Sequence, residues 1–192
     1  MSLFLEQNNK LNTMKIETKR LILRKLEDTD VERMFLMDSD PEVMKYLETP
    51  VTAVEESRNG LRMIQKQYEE NGVGRLAVVE KESGLMIGWC GLKLLKTPIN
   101  GHVETLDLGY RFIPEFWGKG YAWEAAVASL EYGFKELNAE TIYAYADCGN
   151  KGSHHILTKL GFENTGKFED DGVMCFWYTL KREKYNTGND KD

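Results

Sequence analysis

The chain has 192 residues, 42% of them hydrophobic, which suits one globular domain with a sizeable core and leaves no room for a second. A net charge of −6 without any basic stripe argues against nucleic acid as the main partner, and no apolar run approaches the ~20 residues that span a bilayer. Three scattered cysteines, Cys90, Cys148 and Cys175, form no CxxC pair, and no basic region precedes an apolar core at the N-terminus. Both features lead to the expectation of a cytoplasmic protein with reduced thiols and no membrane partner.

Residues 1–13 read as a loose polar arm ahead of a domain over 14–185, with a polar, frayed tail from Arg182 and residues 186–192 outside the domain. Residues 16–26 alternate at Leu21 and Leu23 and are expected to form a first strand. Residues 29–37 read as a short helix capped by Asp28 or Thr29, and Pro41 and Pro50 bracket a loop with one helical turn over 42–47. Residues 52–70 read as a long helix opened by a Thr52/Glu55 capping box, with Leu61, Ile64 and Tyr68 at helical spacing. After Asn71-Gly72 the period changes. Residues 75–80 and 85–95 form a hairpin across 81–84, and a turn over 97–101 leads into a strand at 103–113. An alanine-rich helix over 119–137, a strand over 141–147 and a short helix over 150–160 stopped by Gly161 follow. A closing hairpin pairs 163–168 with 173–180. This order specifies an α/β (α+β) domain built on a mixed, mostly antiparallel sheet of about seven strands flanked by about four helices.

The stretch 106–122 carries the chemistry. Leu106, Leu108, Tyr110 and Phe112 fall on one face of the strand, and Asp107, Gly109 and Arg111 on the other. Pro114 ends the strand because it has no N–H for a ladder. In Trp117-Gly118-Lys119-Gly120-Tyr121, two glycines let the backbone turn tightly and approach a ligand closely. A helix starts at once, so the free N–H groups of its first turn face the loop, and Lys119 adds a full positive charge. The result is an anion site suited to a pyrophosphate. The glycine spacing fits neither a Rossmann fingerprint, which needs a third glycine, nor a P-loop, which needs an earlier glycine and a Ser or Thr after the lysine.

The run DLGYRFIPEFWGKGYAWEA, followed by ADCGNKGSHHILTKLGF, resembles the cofactor-binding core of the GCN5-related N-acetyltransferases (the GNAT family). The closest resemblance is to the branch of ribosomal-protein N-terminal acetyltransferases, and it extends over about residues 16–184. It implies direct acetyl transfer from acetyl-CoA to a primary amine, with no acyl-enzyme and no metal. The residues it implies for acetyl-CoA are Phe112, Ile113, Trp117, Gly118, Lys119, Gly120, Tyr121, Ala122 and Asn150. Glu115 stands where the family's loop carries Arg or Gln, which affects a side-chain contact and not the backbone amides of 117–122. Asn150 would lie near the pantetheine arm, and Ser153 would hydrogen-bond or protonate the departing thiolate. Asn150 with a polar residue three positions on is also an ordinary helix cap. Many relatives use a tyrosine on this helix, but none lies between Asn150 and Gly161.

Asp107 is the first choice for general base, or for anchoring a water that acts as one, since it shares a face with Gly109, whose missing side chain would admit the thioester. The alternative is a carboxylate that only orders local hydrogen bonds, and Glu104 and Glu115 remain further candidates. A backbone N–H near Arg111 and Phe112 would serve the oxyanion, and a splay between 103–113 and 141–147 would offer the pantetheine a strand edge. His154 and His155 point about 100° apart on a helix and have no third ligand at metal spacing. Cys148 lacks a visible base for covalent chemistry. Trp89, Trp117 and Trp123 are candidates for pocket walls as well as for core. At pH 7 an α-amine of pKa ~8 is roughly a tenth neutral, whereas a lysine of pKa ~10.4 is neutral about one time in 2,500. A weak base therefore favours an N-terminal α-amine as acceptor. A polyamine, an amino sugar, or a non-catalytic acetyl-CoA- or peptide-binding role are the competing readings. The acceptor pocket is expected from 37–68 and the final hairpin, and oligomeric state is left open.

Overall fold

A computed structural model describes residues 14–47 and 49–189. The arm expected at 1–13 lies outside the described residues. Alternating apolar residues build one eight-stranded sheet from β1 (Lys15–Glu17), β2 (Leu21–Arg24), β3 (Arg75–Glu80), β4 (Met86–Leu95), β5 (Thr105–Phe112), β6 (Thr141–Asp147), β7 (Glu163–Asp170) and β8 (Val173–Lys181). The order across the sheet is β1-β2-β3-β4-β5-β6-β8-β7. Every neighbouring pair is antiparallel except β5 with β6, which is parallel. Among the described residues six α-helices accompany it: α1 (Val31–Asp38), α2 (Pro41–Met44), α3 (Val54–Asn71), α4 (Tyr121–Lys135), α5 (Lys151–Lys159) and α6 (Arg182–Asn189). Among the described residues no helix is long and apolar enough to cross a membrane.

The count differs from the expected seven strands because residues 16–26 form a hairpin and not one strand. The Thr18 hydroxyl accepts from Leu21 N–H (2.9 Å) while Thr18 N–H donates to Leu21 O (3.0 Å), and this local turn separates β1 from β2. Three other boundaries shift. The cap of α3 uses Glu56, which accepts from Thr52 N–H (2.6 Å) and Ala53 N–H (3.1 Å), and Glu55 instead pairs with Arg58. Strand β5 starts only at Thr105, because Glu104 sits at φ 55°. The polar end is not frayed at Arg182: Arg182 donates from its backbone to Glu140 O (3.0 Å) and from Nε to Ala139 O (2.9 Å), which starts α6.

Helix α4 covers one face of the sheet. Ala125, Ala126 and Leu130 are fully buried against a core that includes Cys90, Leu92, Leu108, Ile142 and Ala144. The helix sits close because Gly133 has no side chain; a Cβ there would come within 2.5 Å of the end of Leu92. Helices α1 and α3 cover the N-terminal half of the other face over Leu26, Val31, Met34, Leu61, Ala77 and Met86. The junction of β4, β5 and β6 lies near the centre of the sheet, and that junction positions the site.

The first turn of α4 is bolted to the β1–β2 turn through Glu124. Its carboxylate accepts from the Thr18 hydroxyl (2.6 Å), Arg20 N–H (2.9 Å) and Arg20 Nε (2.6 Å). Burial raises its pKa, but the hydrogen bonds from Thr18 and Arg20 outweigh that and hold it below the usual value. A carboxylate whose pKa is depressed on folding contributes stability above its unfolded pKa, and the contribution is lost as pH falls through the folded one. Glu124→Ala is therefore expected to lower the unfolding free energy by about 2 kcal/mol at neutral pH, a typical value for hydrogen bonds to a charged group. Urea denaturation of both proteins should show that difference shrinking below the ordinary carboxylate range.

Candidate active site

After β5, Pro114–Phe116 makes a single 3₁₀ turn, and the Trp117 indole N–H donates back to Phe112 O (2.7 Å). Gly118 (φ 72°) and Gly120 (φ 80°) then take the left-handed conformation that other residues adopt at a cost. A Cβ at Gly118 would meet nothing within 4 Å, so glycine is required there by the backbone and not by crowding. Helical bonding in α4 begins with Glu124 N–H to Gly120 O (3.1 Å), which leaves the N–H groups ahead of it free of the helix ladder. Arg20 shapes the turn from outside: its Nη1 donates to Lys119 O (2.9 Å), and its guanidinium lies 4.3 Å from the centre of the Tyr121 ring. The Tyr121 hydroxyl is in turn held by Glu80.

Strands β5 and β6 pair at only two rungs, Leu106 with Ile142 and Asp107 with Tyr143. Beyond them the strands part, although β5 stays paired with β4 up to Phe112 and β6 with β8 up to Asp147. Each strand thus presents one backbone edge to the gap. Helix α5 borders it: Asn150 caps the helix by accepting from Ser153 N–H (3.1 Å), and the Tyr110 hydroxyl donates to Ser153 O (3.3 Å). Burial pushes the Tyr110 phenol far above its ordinary pKa, so it keeps its proton at any physiological pH.

A cleft of about 640 Å³ runs along this gap and over the glycine turn. Of the residues expected from the sequence, Phe112, Trp117, Gly118, Gly120, Tyr121, Ala122, Asn150 and Ser153 line it. Tyr110 and Arg111 join them from β5, Glu42 and Tyr46 from the segment around α2, and Trp123, His155 and Lys159 from α4 and α5. Three expected residues lie elsewhere. Ile113 is buried and spends its N–H on Ile87 O (3.0 Å). The Lys119 ammonium sits 5.1 Å from the centre of the Phe116 ring and does not line the cleft.

Asp107 is the third. It is 2% exposed and bonded to the Arg75 guanidinium, with Arg75 Nη2 2.5 Å from its carboxylate and Nη1 2.5 Å from its backbone oxygen. The space over Gly109, expected to admit a thioester, is filled by the same guanidinium: a Cβ on Gly109 would lie 2.5 Å from Arg75 Nη2. A carboxylate committed to a buried arginine is poorly placed to take a proton from an amine. Of the other acidic candidates, Glu104 pairs with Lys96 (3.1 Å) and Glu115 is exposed on the 3₁₀ turn, and neither lines the cleft. The adjacent histidines diverge: His154 binds the Tyr178 hydroxyl (2.9 Å) and Cys148 O (3.2 Å), while His155 faces the cleft. Among the described residues, no three His, Cys, Asp or Glu side chains gather as a metal set.

Sequence reasoning missed Tyr110 and Arg75 as parts of this region. Tyr110 was visible as an apolar-face residue of β5, and a phenol on an otherwise aliphatic face is the available signal. Arg75 heads a buried strand and is only 7% exposed, so an arginine opening an apolar run such as RLAVVE was the signal there.

A glycine-turned helix N-terminus thus opens onto a gap between diverging parallel strands, the arrangement expected from the resemblance to the N-acetyltransferases. The family model described as "Acetyltransferase (GNAT) domain" matches residues 20–163, and the chain belongs to that family. It is 36% identical over 154 residues to the uncharacterized N-acetyltransferase p20 of Bacillus licheniformis, covering 80% of this chain and 84% of that one. It is 31% identical over 149 residues to spermidine N(1)-acetyltransferase of Escherichia coli K12, covering 76% and 74%. The crystal structure of a GNAT-family acetyltransferase from Bacillus anthracis superposes with a TM-score of 0.74 at 29% identity, covering 88% of this chain and 99% of that one. The protein is thus an N-acetyltransferase that depends on acetyl-CoA.

Two outcomes follow from the geometry. Gly118→Ala should weaken acetyl-CoA binding about tenfold by calorimetry, since ~1–2 kcal/mol of left-handed strain is relieved only by moving the amides. Gly118→Asn should lose less, because asparagine tolerates that conformation. Separately, burial pushes the Cys90 thiol up to about 12, and burial with Asp170 and Asp147 pushes Cys175 up to about 11. A native titration with a disulfide thiol reagent should therefore label the half-buried Cys148 first, as peptide mapping would show.

Proposed function

We propose that the cleft transfers acetyl groups to the α-amine of a peptide N-terminus. The single observation that carries the reading is the convergence of the free first-turn amides of α4, the open edges of β5 and β6, and Ser153 with Tyr110 in one cleft. The N–H groups from Gly118 to Ala122 would hold the pyrophosphate of acetyl-CoA, and Asn150 and the parted strand edges its pantetheine arm. When bound, acetyl-CoA supplies an acetyl group activated as a thioester. An amide bond from the amine nitrogen to the acetyl carbon then replaces the carbon–sulfur bond, and the proton lost by the amine is balanced by the one the thiolate gains. Ser153 is the proposed donor to that sulfur, with the Tyr110 phenol, protonated throughout, ordering the start of α5 beside it.

The acceptor class follows from what the acids do. Of the acids expected as base, Asp107 is engaged by Arg75, and Glu104 and Glu115 stand away from the cleft, which leaves Glu42 and His155 on its wall and supports an acceptor that is already partly neutral and needs only a weak base. An α-amine is such an acceptor, being roughly a tenth neutral at pH 7.

Thiol release from acetyl-CoA should be followed with N-terminal peptides, α-blocked lysine peptides, spermidine and aminoglycosides. The N-terminal peptides are expected to turn over at least tenfold faster than blocked lysine peptides at pH 7. Ser153→Ala should lower kcat on the order of 100-fold with little change in acetyl-CoA affinity. Equal rates on both peptide classes, or turnover confined to spermidine, would remove the α-amine assignment.

A further inference from the structure

The parting of β5 from β6 has a buried ionic lock at its vertex. Arg75, Gly91 and Gly109 lie side by side on three neighbouring strands, so the arginine side chain meets two positions that carry none. The Arg75 side chain runs across that row through the space that Gly109 leaves empty. Its Nη1 donates to Gly91 O on β4 and to Asp107 O on β5, and its Nη2 binds the Asp107 carboxylate. Asp107 is the last residue of β5 that pairs with β6. One guanidinium therefore ties together β3, β4 and β5 at the rung where the gap opens.

The segment beyond the vertex is held by a second ion pair of the same design. Arg111 binds Asp38 of α1 (2.7 Å), and the guanidinium groups of Arg75 and Arg111 lie 5.7 Å and 5.2 Å from the centre of the Trp89 ring. On the opposite face Tyr110 is held at Ser153 O. Residues 107–111 are thus fixed from both faces and by β4, and only the edge toward β6 is left open.

We propose that Arg75 is a positioning residue for acyl transfer, which sets the width and register of the gap by locking Asp107 at its vertex. The inference rests on the reading of that gap as the seat of the pantetheine arm. In it Asp107 works through Arg75 on backbone geometry and takes no proton. A site assembled this way is sensitive to small shifts, since a displacement of about 1 Å can cost on the order of 100-fold in rate.

The test compares two ligands of the intact protein: acetyl-CoA, and adenosine 3′,5′-bisphosphate, which carries the nucleotide end without the pantetheine arm. Arg75→Met should weaken acetyl-CoA about tenfold or more and lower kcat, while bisphosphate affinity stays within about twofold. Arg75→Lys, able to reach one partner but not to fork between three, should fall between. Where Arg75→Met proves unfolded by circular dichroism, Asp107→Asn, of nearly the same shape, decides by the same comparison. A folded variant with unchanged acetyl-CoA affinity and kcat overturns the proposal. Equal losses for both ligands also overturn it, because the arginine would then serve the fold at large. Failure of the unaltered protein to bind acetyl-CoA would instead strike the reading of the cleft itself.

Discussion

Two parallel rungs hold β5 to β6, and then a sheet that is otherwise continuous opens at its centre. Backbone groups left unpaired inside a protein cost free energy unless water or a ligand reaches them, so such an opening persists only if both strands are held from elsewhere. Here β4 holds one strand and β8 the other along their full remaining lengths. The Arg75–Asp107 pair adds the lock at the vertex. Removing one partner of a buried pair typically costs 3–5 kcal/mol, roughly, because the other charge is left without compensation. The cleft, the reach of α5 and the exit of the chain into the glycine turn all depend on that vertex.

The glycine turn is controlled from a distant part of the chain. Arg20 lies in the β1–β2 turn, yet it hydrogen-bonds Lys119 O and stacks over Tyr121, while Glu124 in the first turn of α4 holds Arg20 in return. The turn therefore has a fixed shape although two of its residues are glycines. A fixed set of amides loses less freedom on binding an anion than a mobile loop would, which is the physical content of a preorganised phosphate site. The negative charge of Glu124 near a helix N-terminus is itself favourable, and its commitment to Arg20 and Thr18 keeps it off the amides.

Local periodicity made most of this architecture legible in the sequence. The alternation of 141–147 gave β6 to the residue, and the glycine turn announced the N-terminus of α4, because both depend on neighbours in the chain. The first hairpin was harder to see, since Thr18 turns the chain with a side-chain hydrogen bond inside a run that otherwise alternates. The same limit applied to the site. Gly118 and Gly120 could be found from spacing, Asn150 and Ser153 only from the family resemblance, and all four line the cleft. The partner of Asp107 could not be found, because Arg75 lies 32 positions away in sequence and meets it only when β3, β4 and β5 are laid side by side. An empty-looking glycine face next to a carboxylate read as room for substrate, and long-range pairing filled it with an arginine.

The most direct test is the structure of the protein crystallised with acetyl-CoA. The account predicts the pyrophosphate on the amides from Gly118 to Ala122 and the pantetheine arm between the parted edges at 108–112 and 144–147, with the Arg75–Asp107 pair intact. An acetyl-CoA bound elsewhere, or a complex in which those two strands close and pair beyond Asp107 and Tyr143, would contradict it.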